Sequence, residues 1–154
     1  MSLSGRRGRV LLLDTCVILH YLLGDELADK AEVLVKLAVG DEVTLAVSSE
    51  AYDDAITAFR SKGVDLPTVL KALEMWAAIP HQVLPVTAEI AVEALRLYSL
   101  HGGRGRLHYF DALHVATAKH YGLPLVTSDR YVIEHSKALG VSVIDLRTVS
   151  YNSF

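Results

Sequence analysis

Short, uninterrupted apolar runs alternate along this chain with longer stretches of helical period. Residues 10–13, Val-Leu-Leu-Leu, form a run closed by Asp14, which predicts a strand buried on both faces. Residues 43–47, 125–127 and 141–144 repeat the pattern. Residues 82–86 are interrupted by Pro85 and predict a short or edge strand. Helical stretches fill the intervals. They cover 19–23, then 26–39 with Asp25 as N-cap and Gly40 as stop, then a segment from Ser48 or Ser49 to about Lys62. A helix starting near Pro67 closes at Pro80, and one capped by Thr87 reaches His101. The last two cover about 107–121, before Gly122, and 131–139. Strand–helix alternation of this kind predicts an α/β fold, a three-layer α/β/α sandwich with a mostly parallel central sheet. The expected organisation is a single domain over residues 9–147, flanked by a basic tail at 1–8 and a C-terminal tail at 148–154. The two helices within 51–79 are suited to a protruding hairpin.

Composition narrows the class. At 154 residues with 51% hydrophobic positions, the chain suits one domain with a sizeable core and is too apolar to be disordered. No apolar run approaches the roughly 20 residues that span a bilayer, and the basic start has no signal-peptide core behind it. A soluble, cytoplasmic protein without membrane partners is expected. The lone cysteine, Cys16, excludes an internal disulfide and a multi-cysteine zinc site. With 15 basic and 18 acidic residues the net charge is −3, so the overall balance does not announce a nucleic-acid binder. Basic residues do cluster locally: Arg6, Arg7 and Arg9 at the start, and Arg104 and Arg106 in a glycine-rich stretch.

The acids are more informative than the total charge. In open parallel sheets ligands bind beyond the carboxyl ends of the strands. Asp14 directly follows the first strand, and Asp129 lies two residues after the strand ending at Thr127. Asp111 lies near the start of the helix feeding that strand, and Glu50, Asp53 and Asp54 follow the second strand. Glu50 and Asp54, four apart, share one helical face. Taken singly, each acid also fits an ordinary N-cap or solvated helix position. Asp14 fits it least, because a charge at the end of a buried strand needs a partner. Were the acids to converge, two carboxylates about 4 Å apart would repel by roughly 4 kcal/mol at an effective dielectric near 20. Such a cluster keeps a proton or recruits a divalent cation, and oxygen ligands select Mg²⁺ or Mn²⁺. A carboxylate-held Mg²⁺ with open positions suits phosphodiester hydrolysis.

At Val10-Leu-Leu-Leu-Asp-Thr-Cys-Val-Ile-Leu19, Ser48-Ser-Glu-Ala-Tyr-Asp-Asp-Ala-Ile56 and Tyr109-Phe-Asp-Ala-Leu-His-Val-Ala-Thr-Ala118, leading into Gly122-Leu-Pro-Leu-Val-Thr-Ser-Asp129, the chain resembles the PIN-domain ribonucleases. Within them it resembles the VapC-type toxins of toxin–antitoxin pairs. The resemblance covers about residues 9–147. It implies an acidic site binding Mg²⁺ or Mn²⁺, with Asp14, Asp111 and Asp129 as metal ligands and Thr127 in support. Counting from Ser48 puts the second, helix-borne acid at Asp54, where the family usually has Glu; Glu50 and Asp53 compete for the role. Cys16 stands where Ser or Asn is common. The resemblance further implies endonucleolytic cleavage of single-stranded RNA by metal-activated water, 5′-phosphate and 3′-hydroxyl products, a homodimer and a cognate antitoxin; a structured RNA is the alternative substrate partner. Arg104 and Arg106, just before Asp111, are candidate RNA contacts.

Other chemistries fit less well. Cys16 and His20 are four apart but lack a nucleophile's setting, and Ser128 lacks a Gly-x-Ser-x-Gly elbow. His108 and His114 form no zinc motif and are expected at the surface, and the glycines at 102, 103 and 105 do not follow a strand. Two alternatives remain within the fold: a catalytically degenerate binding module, and an RNA-processing nuclease without an antitoxin.

Overall fold

The computed structural model describes residues 9–154; residues 1–8, and with them the expected basic tail, lie outside the described residues. Five strands form one sheet: β1 (Arg9–Leu13), β2 (Val43–Ser48), β3 (Gln82–Leu84), β4 (Leu125–Thr127) and β5 (Val143–Asp145). Every pairing is parallel, and the order across the sheet is β3-β2-β1-β4-β5. The edge position expected for the Pro85 segment is therefore observed, in β3. The chain winds outward from β1 in one direction through β2 and β3, then in the other through β4 and β5. The switch point of the sheet thus falls between β1 and β4. Side by side there, Leu12 and Leu13 pair with Leu125 and Val126.

The two-residue period of the strands divides the core in two. Leu11, Leu13, Leu45, Val47 and Val126 face one layer, which contains α1 (Thr15–Leu23) and α2 (Ala28–Val39). Leu12, Ala46 and Leu125 face the other, formed by α5 (Ala88–His101) and α6 (Tyr109–Tyr121). Both faces of the central strands are fully covered, which is why their sequences read as continuous apolar runs. Small residues of α6, Ala112, Ala116 and Ala118, let that helix lie close against the sheet. Two helices connect β2 to β3, α3 (Ala51–Ser61) and α4 (Leu66–Ala77). They are not free of the body, because Trp76 is buried in the first core with its ring edge-on to Tyr21 at 6.3 Å. The chain ends with Val149 fully buried in the same layer and Phe154 packed beside it.

Several boundaries differ from the periodicity. α1 begins at Thr15, directly after Asp14, rather than at residue 19. α2 starts at Ala28 because the Asp25 carboxylate closes a separate turn, accepting from the Leu27 amide at 3.1 Å. β2 runs through Ser48, so neither serine caps α3; Ser48 Oγ accepts from the Glu50 amide and Ser49 Oγ from that of Val86. α6 begins at Tyr109, not Leu107. The 131–139 stretch divides at His135 into α7 (Arg130–Glu134) and α8 (Ser136–Leu139). The last strand lies two residues later than its apolar run begins.

Candidate active site

Parallel strands end together, so the sheet has one carboxyl edge, and its crevice opens where β1 and β4 diverge. Asp14 is the residue after β1 and Asp129 the second after β4. Helices running back across the sheet bring their N-termini to the same edge, and Asp54 and Asp111 sit in the first turns of α3 and α6. The result is a cleft of about 220 Å³ whose wall includes all four aspartates. Glu50 and Asp53, the competing second acids, do not line it.

Asp14 is 2% exposed, the most deeply set of the four. The Thr127 hydroxyl donates to its Oδ2 at 2.7 Å and in turn accepts from the Asp129 amide at 3.0 Å, tying the ends of β1 and β4 together. Burial raises the Asp14 carboxyl above the ordinary carboxylate range, and Asp54 and Asp129 push the same way; His114 and the Thr127 hydrogen bond pull against them. Asp111 is pushed up to about 9, mainly by burial and then by the charges of Asp14, Asp129 and Asp54. The Asp129 carboxylate caps α7, accepting from the Val132 amide at 3.0 Å. Cys16 also lines the cleft. Its sulfur lies 3.4 Å from the Ser128 amide, which donates to it, and burial with the charge of Asp14 drives the thiol far above its usual range. A neutral thiol is a poor ligand for a hard cation.

Sequence reasoning put His114 at the surface; the structure buries it completely, between α6 and the ends of β1 and β2. Its Nε2 lies 2.9 Å from Asp54 Oδ2 and 2.8 Å from Thr15 Oγ1, and its Nδ1 lies 3.0 Å from Ser48 Oγ. An ionised carboxylate only accepts, so Nε2 carries a proton and donates it to Asp54. The imidazole therefore fixes the orientation of Asp54. Residues 112–118, Ala-Leu-His-Val-Ala-Thr-Ala, are buried on every side of α6, and their apolar bias was the available signal. His108 does stand at the surface, its side chain 70% exposed, with Nδ1 3.2 Å from Asp111 Oδ2.

The donor set fits a divalent metal ion. One ligand atom each from His108, Asp111 and Asp129 lie within 4.8 Å of one another. Asp14 is outside that trio, at the floor of the cleft. Burial first, and then the charges of Asp14, Asp129 and Asp54, raise the Asp111 carboxyl to about 9, and a divalent cation would offset the part that comes from those charges. Arg104 and Arg106 lie in the loop between α5 and α6 and do not line the cleft. The Arg106 guanidinium donates to the Leu100 carbonyl at 3.1 Å and lies 5.9 Å over the Tyr131 ring, which places it beside α7.

A family model described as PIN domain matches residues 11–138. No curated protein matches the chain. Among solved structures, a chain of VapBC2 from Rickettsia felis, bound to a DNA fragment from its promoter, is similar with a TM-score of 0.67. The identity is 15%, over 88% of this chain and 97% of that one. VapBC-1 from nontypeable Haemophilus influenzae gives 0.63 at 20% identity, over 90% and 99% of the two chains. VapC20 from Mycobacterium tuberculosis, a sarcin–ricin loop cleaving toxin, gives 0.58 at 15%, over 75% and 86%. At these identities the likeness is one of fold.

The cleft has a pH signature. Folded Asp111 keeps its proton up to about pH 9, whereas an unfolded aspartate loses it near pH 4. Its contribution to stability is fully present below about pH 4, falls steadily as the unfolded chain ionises and the folded one does not, and is fully lost once pH passes about 9. In chelator, Asp111→Asn should therefore melt at least about 3 °C above wild type at pH 8, with the gap closing by pH 4. Thermal melts across that range check this; a gap that widens in acid contradicts the assignment.

Proposed function

This chain belongs to the PIN-domain family, and from that premise we propose that it is a divalent-metal-dependent endoribonuclease, the toxin of a toxin–antitoxin pair. The family is typically one of nucleases, and the observation that carries the reading here is the meeting of Asp14, Asp54, Asp111 and Asp129 in one cleft. Asp111 and Asp129, with Asp14 beneath them, would hold Mg²⁺ or Mn²⁺; His108 is placed to add a nitrogen ligand. Held by these residues, such an ion would offset charge at a phosphate oxygen and lower the pKa of a water. Asp54, held by His114, orients that water and accepts its proton. Thr127 holds Asp14 in the cleft wall through Oδ2.

The products are a 5′-phosphate and a 3′-hydroxyl, and the substrate is single-stranded RNA. Arg104 and Arg106 extend the binding surface along phosphates beyond the cleft. The protein acts in the cytoplasm as a homodimer with a cognate antitoxin, a reading supported by the toxin–antitoxin complexes among its structural neighbours. Among the described residues, no helix is long and apolar enough to cross a membrane.

Purified wild type should cleave a defined single-stranded RNA with Mg²⁺ or Mn²⁺ and not with chelator. Asp14→Asn and Asp111→Asn should each lose at least about 100-fold in rate while remaining folded. Unaltered cleavage by both variants would remove the cleft from the reaction. A double Arg104→Gln, Arg106→Gln variant should weaken RNA binding evenly across sequences and lower the salt slope by about 1.4; an unchanged slope removes them from the interface.

A further inference from the structure

Behind the acid cleft lies a second set of polar side chains that the metal site does not use. Ser128 stands in the cleft wall between Thr127 and Asp129. Its Oγ lies 2.9 Å from Nε2 of His20, and the other nitrogen of that ring, Nδ1, lies 2.7 and 2.8 Å from the two oxygens of Asp25. The three groups come from separate places in the chain: the β4–α7 connection, the last turns of α1, and the turn after it. Gly24 makes the last of these possible. Its φ of 66° ends α1 in the left-handed region and folds Asp25 back onto His20. Asp25 is steadied as well by the Leu27 amide.

Carboxylate, imidazole and hydroxyl in series are the parts of a nucleophilic triad, yet this hydroxyl is not set up as a nucleophile. An acyl-transfer site needs free amides beside the attacking oxygen. Here the Ser128 amide donates to Cys16 Sγ and the Asp129 amide to Thr127 Oγ1. What the series can do is move a proton from the exposed side of α1 into the cleft. Hydrolysis of RNA at the P–O3′ bond needs that proton, because the leaving oxygen departs as an alkoxide unless it is protonated.

Resting on the nuclease reading above, we propose that Ser128 is the proton donor to the leaving 3′-oxygen, recharged by His20, which Asp25 holds in position. In the step, the water oxygen bonds to phosphorus and its proton passes to Asp54. The P–O3′ bond breaks, and O3′ takes the Ser128 hydroxyl proton. Ser128 Oγ takes the Nε2 proton of the His20 imidazolium, Nδ1 keeps its own proton against Asp25, and solvent reprotonates Nε2 of the neutral ring once the product has left. Ser128 touches the substrate; His20 and Asp25 act through it as positioning and supply residues.

The test compares two oligoribonucleotides of one sequence under one Mg²⁺ concentration, the second carrying sulfur in place of the bridging 3′-oxygen at the scissile bond. A thiolate leaves without a proton. His20→Gln and Ser128→Ala should slow cleavage of the ordinary RNA by about 100-fold, and Asp25→Asn by about tenfold. All three should cut the sulfur substrate within about threefold of wild type, whereas Asp54→Asn should be equally slow on both. Equal losses on the two substrates, the mark of a merely structural tie between α1 and the β4–α7 connection, would overturn the relay, as would no loss on either. Failure of wild type to cut either RNA would instead overturn the nuclease reading itself.

Discussion

The deep burial of Asp14 at the end of the central strand is the constraint around which the site is organised. A carboxylate taken out of water is costly unless something compensates it. Here the compensation is partial: one hydroxyl from Thr127 and the nearby His114 ring, set against two further carboxylates that repel it. Asp111 carries the consequence, holding its proton far above the usual range. Stability alone would favour an apolar side chain at the end of such a strand. Retaining acids here makes chemical sense when a cation balances them.

Topology explains why the acids meet. Because all five strands are parallel, their carboxyl ends share an edge, and because the order reverses at β1, that edge opens beside Asp14. The helices that supply Asp54 and Asp111 direct their N-termini to the same place, where the helix dipole favours negative charge. Hydrogen bonds behind the cleft then fix three of the acids separately. Thr127 holds Asp14, the Val132 amide of α7 holds Asp129, and His114 holds Asp54.

Much of the fold was legible in the chain because buried parallel strands leave continuous apolar runs bounded by glycine, proline and acids. The edge strand was marked by Pro85, and the helix stops by Gly40 and Gly122. Boundaries set by side-chain hydrogen bonds were not legible: Asp25 closes a turn of its own rather than capping α2, and at the end of β2 Ser48 bonds the Glu50 amide and Ser49 that of Val86, so neither serine is the N-cap of α3. The acids themselves were readable from their positions after strands. Their supports were not. His114 looks like any histidine in a helix until α6 is known to be covered on all sides, and the approach of His20 to Ser128 spans 108 positions.

The four aspartates can all be ionised together only with a cation among them, and proton release on metal binding tests this most directly. Calorimetric titration of the protein with Mn²⁺ at pH 7.5, in two buffers of different ionisation enthalpy, counts the protons displaced. Binding should release about one proton, because Asp111 is protonated until an ion arrives, and Asp111→Asn should release close to none. Absence of binding, or binding by wild type that displaces no proton, would contradict it.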